Sequence, residues 1–159
     1  MLTRKFLVEY ATYTQTCAHL ELACWEIIML ADGGDQGVPH KVDRFLKVRK
    51  NSTQLREHFR GAADLTSADI SARIISLSER IDAGIEVRNT AVHGAWFTGE
   101  HDTDARVEHY FRRPDDPPLM WRHFDAPVPQ GEIDGAIEEA DDMLREAIKI
   151  RIAMQAQPE

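Results

Sequence analysis

The chain has 159 residues, 27 acidic against 19 basic side chains for a formal net charge of −8, and two cysteines. That length suits one domain and is enough to bury roughly 70% of the unfolded surface, so neither a disulfide framework nor a structural metal is required. The acidic total excludes a protein that coats nucleic acid nonspecifically, because phosphate contacts need a surplus of Lys and Arg.

From Thr3 to about Ala31, Phe6, Tyr10, Tyr13, Cys17, Leu20, Cys24, Ile27 and Ala31 recur at steps of three and four, which predicts a long amphipathic helix. The apolar start Phe6-Leu7-Val8 is broken by Glu9, too soon for a signal-peptide core. No later stretch has the apolar length of a membrane span. Cys17 and Cys24 would lie about 10 Å apart along such a helix and cannot pair. A soluble protein of the reducing cytoplasm, without membrane contact, is the expectation.

Asp32 to Pro39 is turn-forming, and a second helix is expected from His40 to about Gly61, with Phe45, Leu46, Leu55 and Phe59 as core residues. Asn51, Ser52 and Thr53 favour caps over helix interiors and mark where it would divide. Residues 40–60 carry Lys41, Arg44, Lys47, Arg49, Lys50, Arg56 and Arg60 against Asp43 and Glu57. This is a local basic surface, or equally a solvated helix face opposite an acidic neighbour.

The third helix is expected to start at Thr66 as cap, with Asp69 three residues later and Leu65 and Ile70 spaced as a hydrophobic staple. Its apolar row continues through Ile74, Leu77, Ile81 and Ile85, and Gly94 ends it. Residues 95–131 change character. Arg106 to Arg113 is rich in strand formers, Pro114 to Pro118 must turn, and Leu119 to Phe124 can return as a second strand. A last helix, Glu132 to about Ala156, repeats Ile133, Ile137, Ala140, Leu144, Ile148 and Ile152, and is acidic over residues 132–146. The expected fold is all-α: one domain over residues 1–159, an antiparallel four-helix bundle with a small β-hairpin or ordered loop between helices 3 and 4.

At the end of the third helix, Arg88 continues the apolar row of Ile74 and Ile81 at seven-residue steps, so a guanidinium takes a core- or partner-facing register. Such a charge must be paired or must serve a solvated cleft. A bridge to an acid on the last helix, such as Glu138 or Asp142, is the structural alternative for it. Gly84 and Ala91 beside it are small and leave room for another chain or a ligand. Asp82, Glu86, Asn89 and His93 share a second stripe. His93 stands at the negative end of the helix dipole, where imidazolium is favoured and proton exchange near neutral pH is plausible. Arg88 and His93 are five positions apart, roughly 140° around an ideal helix. Their convergence requires either a frayed helix end or two copies of the helix facing each other across a two-fold axis.

Arg88-Asn89-Thr90-Ala91-Val92-His93 resembles the core motif of the HEPN superfamily: Arg, a polar residue that is commonly Asn, three more residues, then His, on the third long helix of a small helical protein. The resemblance implies a metal-independent endoribonuclease, a toxin or antiviral defence effector, working as a homodimer whose two motifs form one cleft at the two-fold interface. RNA is then the substrate, and an antitoxin or regulatory protein a further partner. Members paired with a nucleotidyltransferase antitoxin often have Tyr two residues after the histidine, where this chain has Ala95. Within that reading His93 transfers protons, Arg88 holds the scissile phosphate and Asn89 orients either group, with Glu86 a further orienting candidate. Lys41, Arg44, Lys47, Arg49, Lys50, Tyr110, Arg112 and Arg113 are candidate RNA contacts, joined by Phe111 and Trp121 as stacking surfaces. The rival readings are a HEPN-like module that binds RNA or a nucleotide without cutting it, and a helical interaction subunit.

No cofactor or metal is expected. His101, Asp102, Asp104 and His109 lack a paired-ligand helix motif, and Gly33, Gly34 and Gly37 lack the lysine and hydroxyl residue of a phosphate-cradling loop.

Overall fold

The computed structural model describes residues 2–33, 43, 52–98, 105–113 and 115–156. Among these it contains α1 (Arg4–Ala31), α2 (Ser52–Gly61), a 3-10 turn (Ala62–Leu65), α3 (Ala68–His93), β1 (Ala95–Thr98), β2 (Ala105–Phe111), β3 (Arg122–Val128) and α4 (Gln130–Gln155). The chain is mostly helical, as its periodicity requires. It is not all-α, however: three antiparallel strands in the order β1-β2-β3 stand between α3 and α4 where a hairpin or ordered loop was expected. Phe45 and Leu46 lie outside the described residues. No described helix is long and apolar enough to cross a membrane.

Two compact units divide the chain, one of Met1–Gln15 with Ile85–Glu139 and one of Thr16–Gly84 with Ala140–Glu159. In the second, all four described helices contribute to one apolar core. Leu20, Cys24, Ile27 and Ile28 come from α1, Leu55 and Phe59 from α2, Ile70, Ile74 and Leu77 from α3, and Met143, Ala147 and Ile150 from α4. Fully burying each large apolar side chain contributes about 1.5–3 kcal/mol. Half-buried ion pairs tie the helices at the rim of this core: Arg73 of α3 donates to Glu146 of α4 at 2.8 Å, and Arg151 of α4 donates to Glu26 of α1. Both cysteines are buried and free, and burial pushes the Cys24 thiol far above the ordinary range.

Three local expectations change. Thr66 does not cap α3: its hydroxyl donates back to Ala63 O at 3.0 Å, closing the 3-10 turn, and the helix ladder begins with Ser71 N–H bonded to Ser67 O. Leu65 is 59% exposed, so the staple with buried Ile70 is not made. On α4 the buried residues are Ala140, Met143, Ala147 and Ile150, a row about 100° around the helix from the isoleucine stripe. Alanines at positions 140 and 147 allow a close approach, so the helix turns that side inward. The isoleucines flank it, and Ile152 is left 55% exposed.

The first unit is built on the sheet. β1 pairs with β2 from Ala95↔Glu108 to Thr98↔Ala105, and β2 pairs with β3 from Ala105↔Val128 to Phe111↔Arg122. Trp96 of β1 donates its indole N–H to Ala91 O at 3.1 Å and packs against Phe6 of α1 at a ring separation of 5.1 Å. The turn between β2 and β3 is organised by buried Asp116. It accepts the Arg113 backbone N–H at 2.7 Å and two guanidinium nitrogens of Arg122 at 2.6 and 2.9 Å. The Arg122 guanidinium chiefly holds the Asp116 carboxyl down to about 2.

Candidate active site

The C-terminal end of α3 and strand β2 meet because position 94 has no side chain. Gly94 donates its N–H to Thr90 O at 2.8 Å, completing the last turn of the helix. A β-carbon there would collide with both the Thr90 carbonyl and the side chain of Val107, which is fully buried on β2. The strand therefore crosses directly against the helix end. Side chains two apart on a strand share a face, so the residue after next, His109, is delivered to the same place.

There the His109 ring meets two others. Phe111 stacks on one side at 5.2 Å between ring centres, and His93 lies at 6.4 Å with the planes 30° apart. Thr90 Oγ1 is 3.3 Å from His109 Nδ1. His109 is 8% exposed, whereas His93 at the end of α3 is open to solvent. Burial, and secondarily the charge of His93, lowers the His109 pKa below the usual histidine value.

The remaining motif residues occupy the same final turns. Arg88 is half-buried and donates from Nη1 to Asn89 Oδ1 at 3.1 Å. The intact Gly94-to-Thr90 bond means the helix end is not frayed, and Arg88 and His93 stay on different sides of one continuous helix. Glu86 does not hold His93. It accepts from Arg113 at 2.5 Å, tying α3 to the β2–β3 turn.

The other candidate contacts separate. Tyr110 follows His109 on the strand and so points to the opposite face of the sheet. There it stacks on His123 at 4.4 Å and donates its hydroxyl to Glu108 at 2.8 Å. Phe111 packs against His109, Arg113 is held by Glu86 and Asp116, and Arg112 and Trp121 are exposed. Of the basic stretch, Arg56 pairs with Asp82 and Arg60 with Glu79 and Asp82, all within the second unit. Lys41, Arg44, Lys47, Arg49 and Lys50 lie outside the described residues, as do His101, Asp102 and Asp104. Among the described residues no three His, Cys, Asp or Glu side chains are grouped to hold a metal ion.

His109 is the member that sequence reasoning passed over as a partner of His93. A local signal existed: in the inward row Ala105, Val107, His109, Phe111, a histidine stands where an apolar residue is expected. Comparison with protein-family models, with curated proteins and with solved structures finds no match to this chain.

Proposed function

We propose that the protein is an endoribonuclease of the HEPN type, cutting RNA by attack of a 2′-hydroxyl on the adjacent phosphorus. The observation that carries this reading is the arrangement at the end of α3: a guanidinium joined to an amide at Arg88 and Asn89, followed by a solvent-open imidazole at His93. Transesterification of RNA needs proton transfer and stabilisation of a phosphorane that carries more negative charge than the substrate, and no metal is compulsory. His93 transfers a proton. Arg88 holds the phosphate through charge-assisted hydrogen bonds, positioned by Asn89.

Because the helix is unbroken, Arg88 and His93 of one chain face apart, and the reading takes the two-fold solution. Two copies set their α3 ends together, so that Arg88 of one and His93 of the other serve one phosphate. A cytoplasmic toxin or defence effector, restrained by an antitoxin or regulatory protein, is the corresponding cellular role. The antiparallel bundle of that family is the arrangement proposed for the four helices.

The test is incubation of the purified protein with end-labelled RNAs in excess EDTA, with Arg88→Ala and His93→Ala in parallel and folding followed by circular dichroism. Cleavage by the wild type alone, leaving 2′,3′-cyclic phosphate ends, is expected. Retained cleavage in a folded His93→Ala protein refutes the assignment, and RNA binding without turnover shifts the function to a non-catalytic RNA-binding module.

A further inference from the structure

We propose that His109 is the second proton-transfer group of this site, taking the proton of the attacking 2′-hydroxyl while His93 delivers one to the departing 5′-oxygen. This assignment rests on the ribonuclease reading above.

The geometry begins with the strand. A histidine in a row otherwise made of Ala105, Val107 and Phe111 buries a polar ring, which costs free energy unless its nitrogens are used. Thr90 takes Nδ1. In the tautomer in which Nδ1–H donates to the Thr90 hydroxyl, Nε2 carries the bare lone pair and is the nitrogen left for proton exchange. At 6.4 Å between ring centres, the two imidazoles are too far apart to hydrogen-bond directly, and a reacting group can stand between them.

Their surroundings differ in the sense that separates a base from an acid. His109 packs against Phe111 and Thr90, and burial lowers its pKa below the usual histidine value. His93 is exposed to water at the carbonyl end of α3. The neighbouring charges are otherwise engaged: Glu86 of α3 by Arg113, and Arg122 of β3 by Asp116. Phe124 stands opposite His109 in the β2–β3 ladder, and β1 contributes Trp96 beside Val107. Among the described residues the charge that acts on His109 is that of His93.

The step balances without a co-reactant. The 2′-O–H proton passes to His109 Nε2 as the 2′-oxygen bonds to phosphorus. The bond from phosphorus to the 5′-oxygen breaks, and the His93 imidazolium protonates that oxygen. The products are a 2′,3′-cyclic phosphate and a 5′-hydroxyl. The two histidines end in exchanged protonation states and reset through water.

The deciding experiment compares wild type, His93→Gln, His109→Gln and Thr90→Val on an oligoribonucleotide and on uridine 3′-(4-nitrophenyl phosphate), whose phenolate leaves without a proton. His93→Gln should lose about 10²–10⁴-fold on RNA but far less on the activated ester, whereas His109→Gln should lose comparably on both. The wild-type pH profile should be a bell, with the acid limb absent in His109→Gln. Thr90→Val leaves the imidazole in place and removes its tautomer-fixing partner; it keeps the test open if His109→Gln fails to fold, and should shift the acid limb. A folded His109→Gln protein with wild-type rates, or a Thr90→Val profile identical to wild type, overturns the assignment while leaving the ribonuclease reading intact. A wild type that cleaves neither substrate overturns both.

Discussion

Replacing Gly94 by alanine tests how α3 and β2 are held together. The added methyl group would collide with the Val107 side chain and the Thr90 carbonyl. Neither can retreat easily: Val107 is completely enclosed, and the Thr90 carbonyl accepts the Gly94 N–H at 2.8 Å, so moving it breaks the last helical bond. Overpacking a well-filled site typically costs 1–3 kcal/mol, and a clash on two sides places Gly94→Ala near about 3 kcal/mol. For a chain of this length that is a fall of roughly 6–12 °C in Tm. Urea denaturation followed by circular dichroism measures it, and the double variant with Val107→Ala identifies the cause. Removing one of the colliding groups should make the two substitutions less than additive, by about 1 kcal/mol or more. A Gly94→Ala protein within about 0.5 kcal/mol of wild type, or strict additivity with Val107→Ala, refutes the contact as the constraint that sets β2 against the helix end.

Other consequences can be checked alongside. Phe59 is buried in the helical core, so Phe59→Ala should cost about 3–5 kcal/mol, read as a lower urea midpoint at an unchanged slope. Asp116 titrates at about 2 in the folded protein against 3.8 for an ordinary aspartate. A depressed folded-state value means its stabilisation is complete above about pH 4 and is lost as the pH falls through 2. Melting temperatures recorded across that interval should decline less steeply in Asp116→Asn than in wild type, and parallel curves would contradict the Arg122 pairing. Trp96→Phe removes the indole bond to Ala91 O and should lower stability by about 1 kcal/mol, again by urea titration.

Much of the helical layout was legible, because burial of one helix face writes a period of three and four into the chain. On α1 that row names Phe6, Cys17, Leu20, Cys24 and Ile27, all buried. On α4 the same reasoning found buried Ala140 and core-packed Leu144 but missed Met143, Ala147 and Ile150, since periodicity weighs the size of apolar residues. The structure instead turns inward the side whose small residues permit close contact. Strand β1 was invisible for a different reason: four residues directly after a helix-terminating glycine show no alternation of their own, and the strand is defined by its partner β2. In the candidate site, Arg88, Asn89 and His93 could be read from one helix, but the pairing of His93 with His109 spans a change of secondary structure. Glu86 looked like a partner for His93 because both lie on one stripe, and a long-range arginine, Arg113, claims it instead.

The sheet also limits how copies of this chain can meet. Among the described residues its two outer strands are β1 and β3, and an outer strand with free N–H and C=O groups invites another strand to add to it. β3 carries Asp125 and Pro127 within its seven residues, a charge and a position without an N–H donor, and β1 is only four residues long. Both are poor templates for intermolecular hydrogen bonding. Growth of a shared sheet, which leads from an exposed β-layer to fibrils, is disfavoured at each margin.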